Sequence, residues 1–142
     1  MSAADLYADS ATWMEFYLDG RRYLRTARGA LKRPAVFSPE IIFNLVAMGI
    51  EKIAMAMLLE AGDIADNHTM PDLLKSLSRV VDLDLELAQA ILDLGRYEDL
   101  CAFSPRLHQT ASMSDLPAIV AVGEELLVVA QAHLPAPATL PV

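Results

Sequence analysis

Hydrophobic residues recur along this chain at steps of three and four positions, which is the spacing of one face of an α-helix. In the first such segment these residues are Trp13, Phe16, Tyr17, Leu24, Ala27 and Leu31. The pattern predicts a first helix from about Asp5 to Arg33. Residues 80–87 alternate between apolar and polar, but the alternation runs directly into a helical pattern. We therefore predict an all-α fold.

Prolines and helix-capping residues predict where the other helices begin and end. Ser38 followed by Pro39 is typical of a helix start, because serine caps the first turn and proline fits within it. The predicted boundaries are Ser38 to Gly62, a short helix opening at Thr69, Asp82 or Asp84 to about Gly95, and Ser114 to about His133. Together they predict a five-helix up-and-down bundle with one short helix.

The length of 142 residues suits one domain, which we place at residues 1–133. Residues 134–142 contain three prolines and are predicted to form a flexible tail. Hydrophobic residues make up 54% of the chain, above the usual share of about 45–50%. We expect this excess to be buried inside the bundle and against a second chain.

Three glycines, Gly20, Gly49 and Gly123, fall in the middle of predicted helices. Each costs about 1 kcal/mol relative to alanine in a helix interior. Close approach between helices would compensate for that cost, so we predict that these glycines mark helix crossings.

Cysteine and charge placement favour a cytoplasmic protein. Cys101 is the single cysteine, so no internal disulfide can form. The N-terminal residues do not resemble an export signal. Two apolar segments approach the length of a membrane span, but Glu51 and Lys52 interrupt the first, and Glu124 and Glu125 the second. We therefore expect no membrane association.

Positive charge is concentrated in one short segment of an acidic chain. The net charge is −8, yet residues 21–33 carry six basic residues and no acid. Arg21, Arg25, Arg28 and Lys32 are spaced by four, three and four positions, which places them in one stripe on the first helix. Such a stripe can bind phosphate groups, since arginine donates two parallel hydrogen bonds to them.

The alternative is an ordinary solvated face whose bases pair with acids elsewhere in the bundle. The acids considered are Asp82, Asp84, Glu86 and Asp93. The negative net charge opposes the approach of a long nucleic acid, so a small phosphorylated ligand or an acidic protein is the easier partner.

Glu51 and Lys52 interrupt the most apolar helix, and each needs its own partner because neighbouring helix positions do not face each other. A buried carboxylate requires a cation. We therefore hypothesise that Arg25 or Arg28 reaches Glu51. The alternative is an exposed Glu-Lys edge on an otherwise buried helix.

Metal and cofactor chemistry is not indicated. His68 lies near Asp63, Asp66 and Asp72, but their spacing matches no calcium loop and no second histidine is close enough to suggest zinc. We expect Asp66, His68 and Thr69 to cap helices and order the loop. No glycine-rich phosphate loop is present, and we predict no metal and no cofactor.

Residues 41–74 combine an apolar helix containing Glu51 and Lys52, a loop containing His68 and the start of a Leu-rich helix. This arrangement resembles the HEPN family of small α-helical bundles. The resemblance implies a HEPN-type bundle that forms a homodimer. It also implies that the protein binds a nucleotide or a partner protein. Many family members are encoded beside a small nucleotidyltransferase, which acts as their antitoxin or partner in toxin–antitoxin pairs.

The Arg-x(4–6)-His signature of the family's ribonucleases is absent. Arg96 precedes His108 by twelve positions and Arg106 precedes it by two. Tyr97 follows Arg96, which resembles the Arg-Tyr pair of non-cleaving members. The sequence therefore favours a binding protein over an enzyme.

We predict a non-catalytic HEPN-like bundle that dimerises and binds a nucleotide, another phosphate-bearing ligand or a protein partner. The predicted ligand-binding residues are Arg21, Arg25, Arg28, Lys32, Glu51 and Lys52. The alternative is a HEPN-type ribonuclease toxin with a degenerate active site, in which Arg96 or Arg106 holds phosphate and His108 acts as general acid and base. A purely structural dimer without a ligand is the third possibility.

Overall fold

The computed structural model describes residues 10–65, 67, 69–97 and 111–135. The helices in these ranges are α1 (Ser10–Ala30), α2 (Pro39–Glu60), α3 (Met70–Leu77), α4 (Leu85–Asp93) and α5 (Leu116–His133), and α4 continues into a 3-10 turn at Leu94–Tyr97. No strand occurs in the described ranges. The predicted all-α bundle is confirmed, and the described residues contain five α-helices. Both α3 and α4 are short, at eight and nine residues.

Side-chain caps set the helix starts where the sequence placed them. The Ser38 hydroxyl accepts a hydrogen bond from the Ile41 amide at 3.3 Å, at the start of α2. The Thr69 hydroxyl accepts one from the Asp72 amide at 3.4 Å, at the start of α3. Asp84, rather than the alternative Asp82, caps α4. These local interactions satisfy amides that have no partner within the helix.

The ends of the chain are described only in part. The first helix ends at Ala30, three residues before the predicted Arg33. Its predicted start at Asp5 lies outside the described residues, as do residues 136–142 of the predicted tail at 134–142.

The core lies where α1, α2 and α5 meet. Leu24, Val46, Ile50 and Leu126 are all at most 1% exposed. Contacts from the N-terminal part of α1 go to the C-terminal parts of both α2 and α5, so α1 is antiparallel to both. The segment containing α3 and α4 therefore returns the chain to the end of the bundle at which α5 begins.

The mid-helix glycines lie at helix crossings, as predicted. A Cβ atom added to Gly20 would lie 3.0 Å from the Gly49 carbonyl oxygen, so α1 and α2 are in backbone contact there. A Cβ atom at Gly49 would lie 2.8 Å from the Leu24 side chain, and one at Gly123 would lie 2.5 Å from it. Leu24 of α1 thus fills a notch that glycines of α2 and α5 leave open.

An ion pair fastens the loop after α2 to the end of α3. Arg79 donates to the two carboxylate oxygens of Asp63 at 3.0 and 3.2 Å, and to the Ile64 carbonyl at 3.1 Å. The hydrogen bonds from Arg79 hold the pKa of Asp63 below its ordinary value. Asp63 therefore has a structural role in this loop.

We expect Asp63→Asn to lower the free energy of unfolding at neutral pH by about 1 kcal/mol or less, since the pair is partly solvated. The folded pKa lies below the ordinary 3.8, so this contribution is complete above that value and disappears as pH falls through the folded pKa. Urea unfolding at pH 7 and at about pH 2 measures the difference. Asp82→Asn, an exposed acid, is the matched control. Equal stability of wild type and Asp63→Asn at pH 7 would contradict the prediction.

Candidate functional site: a basic groove between α1 and α5

Three of the four basic residues of the predicted stripe line one groove. Arg21, Arg25 and Arg28 form the α1 wall together with Leu24, and the groove has a volume of about 450 Å³. The opposite wall consists of residues of α5, namely Glu124, Leu127 and Gln131. Lys32 lies beyond the end of α1, is exposed and does not line the groove. Below, "basic groove" means this site.

Arg28 forms a two-pronged ion pair with Glu124 across the basic groove. Its Nε donates to Glu124 Oε2 at 3.0 Å, and its Nη2 donates to Glu124 Oε1. The hydrogen bonds to Glu124 raise the pKa of Arg28 above its ordinary value. The side chains remain 46% and 37% exposed, so the pair is accessible to solvent and to a ligand.

The hypothesis that Arg25 or Arg28 reaches Glu51 is wrong. Arg28 pairs with Glu124, and Arg25 forms no ion pair with any described residue. The reason is the register of the helices, since the contact between Gly20 and Gly49 places Glu51 well before Arg28 along α1. The acids at positions 82, 84, 86 and 93 pair with neither of these two arginines.

Two other polar side chains of α1 and α5, Arg22 and Gln131, have partners of their own. Arg22, on the same helix, pairs with Asp19 at 3.3 Å and does not line the groove. The Gln131 amide donates to the Tyr17 hydroxyl at 3.2 Å, which ties the far end of α5 to α1. Arg25, by contrast, is exposed in the groove with donors unpaired by any described side chain.

Glu51 and Lys52 occupy a different place from the basic groove. Both are half-buried on α2, so the edge they form is only partly exposed. Lys52 Nζ lies 4.8 Å from the centre of the Phe16 ring, a cation–π contact between α2 and α1. The six predicted ligand-binding residues thus do not form one site.

Arg96 lies in a second groove of about 310 Å³, between the 3-10 turn and the start of α5. Its guanidinium carbon lies 5.2 Å from the centre of the Tyr97 ring, and that ring packs at 5.4 Å against Phe43. Asp115 lines the same groove, and hydrogen bonds from the Ser112 amide and hydroxyl hold its pKa below the ordinary value.

The remaining residues of the ribonuclease alternative, Arg106 and His108, lie outside the described residues. The second groove uses α5 residues Ala118, Ile119 and Val122, which lie on a different side of the helix from the basic groove. Arg96 is therefore separate from the arginines of α1.

No described group of three His, Cys, Asp or Glu side chains is placed to hold a metal ion. Of the residues considered for a metal in the loop after α2, Asp66 and His68 are outside the described part of the chain. By length and composition alone, α2 and α5 could each cross a membrane. Within the bundle, 56% of the α2 window but 33% of the α5 window is buried.

Comparison with known proteins supports the fold and adds no activity. No protein-family model matches the sequence. No curated protein matches it by sequence. Among solved structures, the crystal structure of TT1696 from Thermus thermophilus is similar, with a TM-score of 0.66 and 20% sequence identity over 88% of this chain and 98% of TT1696. The two proteins share a fold, and at this identity the likeness extends to the fold alone.

Proposed function

We propose that this protein is a non-catalytic, HEPN-like helical bundle that binds a phosphate-bearing ligand in the basic groove between α1 and α5. The observation that carries the proposal is that Arg21, Arg25 and Arg28 line one groove on a chain whose net charge is −8. Arginine presents a planar fork that matches two phosphate oxygens. A local cationic groove on an acidic protein therefore favours a small anion.

The size of the groove supports a small ligand. Its volume of about 450 Å³ falls within the range of about 300–1,000 Å³ that is usual for small-molecule sites. Leu127, which is only partly buried, adds an apolar side chain beside the arginines. A nucleotide has both a phosphate and an apolar ring face, and this combination matches the lining.

We further propose that the protein forms a homodimer through the outer face of α5. This face is a stripe at helical spacing made of Ala118, Ala121, Val122, Glu125, Val128, Val129 and Ala132. Val128 is 63% exposed. The alanines of the stripe, Ala118, Ala121 and Ala132, permit a close helix pair. A second copy covering this stripe would bury the apolar excess of the composition. A nucleotidyltransferase-like protein on the same stripe is the competing occupant.

Calorimetric titration with AMP and with pyrophosphate tests the ligand proposal. We expect Arg25→Gln to weaken binding of both about tenfold, because a charged hydrogen bond to phosphate is lost. Arg22→Gln is the matched control, since it removes one positive charge from the same helix outside the groove. The proposal would be contradicted if the wild-type protein bound neither compound. It would also be contradicted if Arg25→Gln and Arg22→Gln lost the same amount of affinity.

A further inference from the structure

We infer that Glu124 is a specificity-determining residue that restricts the basic groove to a single phosphate monoester by neutralising Arg28. The inference rests on the proposed function, because it concerns the ligand of the same groove. It starts from an acid that lines an otherwise positively charged site. A carboxylate in the lining repels each phosphate group of a ligand unless a cation lies between them.

Glu124 occupies the part of Arg28 that a phosphate would use. The contact engages both Nε and Nη2, which form the edge of the guanidinium that donates to two oxygens at once. Because Glu124 is attached to α5, its carboxylate has a high local concentration at this edge, whereas a free ligand must diffuse to it. A phosphate that displaced the carboxylate would also leave Glu124 unpaired beside another anion.

The charge in the groove sets the expected ligand. The described residues of its lining include three arginines and one glutamate, whose formal charges sum to two positive units. A phosphate monoester carries about −1.5 to −2 at pH 7. Pyrophosphate carries more negative charge and needs a further cation. Glu124→Gln would supply that cation by releasing Arg28.

The test compares the wild type with two single variants and one double variant, for which the expected changes in ligand affinity differ in direction. In Glu124→Gln, the ratio of pyrophosphate affinity to AMP affinity should rise about tenfold, as expected for one added charged contact. In Arg28→Gln, Glu124 is left unpaired and both affinities should fall. In the double variant Arg28→Gln with Glu124→Gln, both affinities should return close to wild type, because the groove has lost one cation and one anion.

Glu86→Gln is the matched control for net charge, since it removes an exposed carboxylate on α4 away from the groove. All proteins are first compared by thermal unfolding. Removal of a partly exposed ion pair should change stability by no more than about 1 kcal/mol, so each variant should fold. The double variant repeats the comparison without leaving either Arg28 or Glu124 as an unpaired charge.

The outcomes separate the two proposals. If the wild type binds AMP and the affinity ratio is unchanged in Glu124→Gln, the role of Glu124 is overturned while the basic groove stands. A tenfold rise of the same affinity ratio in Glu86→Gln would also overturn the role of Glu124, because the change in net charge would then be the cause. If no protein of the set binds AMP or pyrophosphate, the proposed function itself fails, and the inference with it.

Discussion

Replacing Gly123 with valine is expected to lower the free energy of unfolding by about 3 kcal/mol, the upper part of the usual range for overpacked cores. A Cβ atom at this position would lie 2.5 Å from Leu24 Cδ2 and 3.3 Å from Val46 Cγ1. Leu24 is 1% exposed and also fits against Gly49, so it has little room to move. Urea unfolding followed by circular dichroism measures the loss.

Gly29→Ala is the matched control for the glycine prediction. Nothing lies within 4 Å of a Cβ atom added at Gly29. Alanine should therefore stabilise α1 by up to about 1 kcal/mol, the difference in helix propensity.

Adding Leu24→Ala to Gly123→Val should cost less stability than the sum of the two single changes, because the shorter side chain makes room for the valine. An unchanged stability in Gly123→Val would show that the three helices are not held by this notch.

Local features made the helices predictable from the sequence. Ser38 and Thr69 cap helices through amides only three positions away, so sequence spacing fixes those boundaries. The basic stripe on α1 was predictable for the same reason, since residues four and three positions apart share a helix face. The mid-helix glycines pointed to close crossings, because their cost within a helix must be balanced by packing.

Long-range pairing was not predictable in the same way. Arg28 and Glu124 are separated by 96 positions, and with 19 acids in the chain nothing local selects Glu124 as the partner. Glu51 was wrongly predicted as the partner of Arg25 or Arg28 because a buried carboxylate needs a cation. The sequence does not give the register between α1 and α2, which rules this pairing out. The α5 wall of the basic groove was missed for the same reason, although Glu124 is one of few acids on an apolar helix.

The dimer proposal gives the second large effect: Val128→Glu is expected to weaken self-association at least about 100-fold, since a charge would be buried without a partner. Val128 is 63% exposed in the single chain, so the change should leave the fold of the protomer intact. Sedimentation equilibrium measures the dissociation constant, and circular dichroism checks the fold. A wild-type protein that stays monomeric at high concentration would contradict the homodimer.

Leu85→Glu is the matched control, because Leu85 is 85% exposed on α4 and receives the same change. It borders an apolar groove of about 440 Å³ between α3 and α4, which is the other candidate surface for self-association. Dissociation caused by Leu85→Glu but not by Val128→Glu would move the interface to that groove.

Replacing Glu125, on the same outer face of α5, is expected to change the dimer affinity in the opposite direction. It lies near the middle of α5, which spans Leu116–His133, and it is the one acid of the exposed stripe. In a two-fold pair of antiparallel α5 helices, residues near the middle of one helix meet their own copies in the other. Two Glu125 carboxylates would then repel each other, so Glu125→Gln should tighten the dimer while Val128→Glu disrupts it. A complex with a different protein would not require this opposition, because a basic residue of the partner could pair with Glu125 and its removal would then weaken binding.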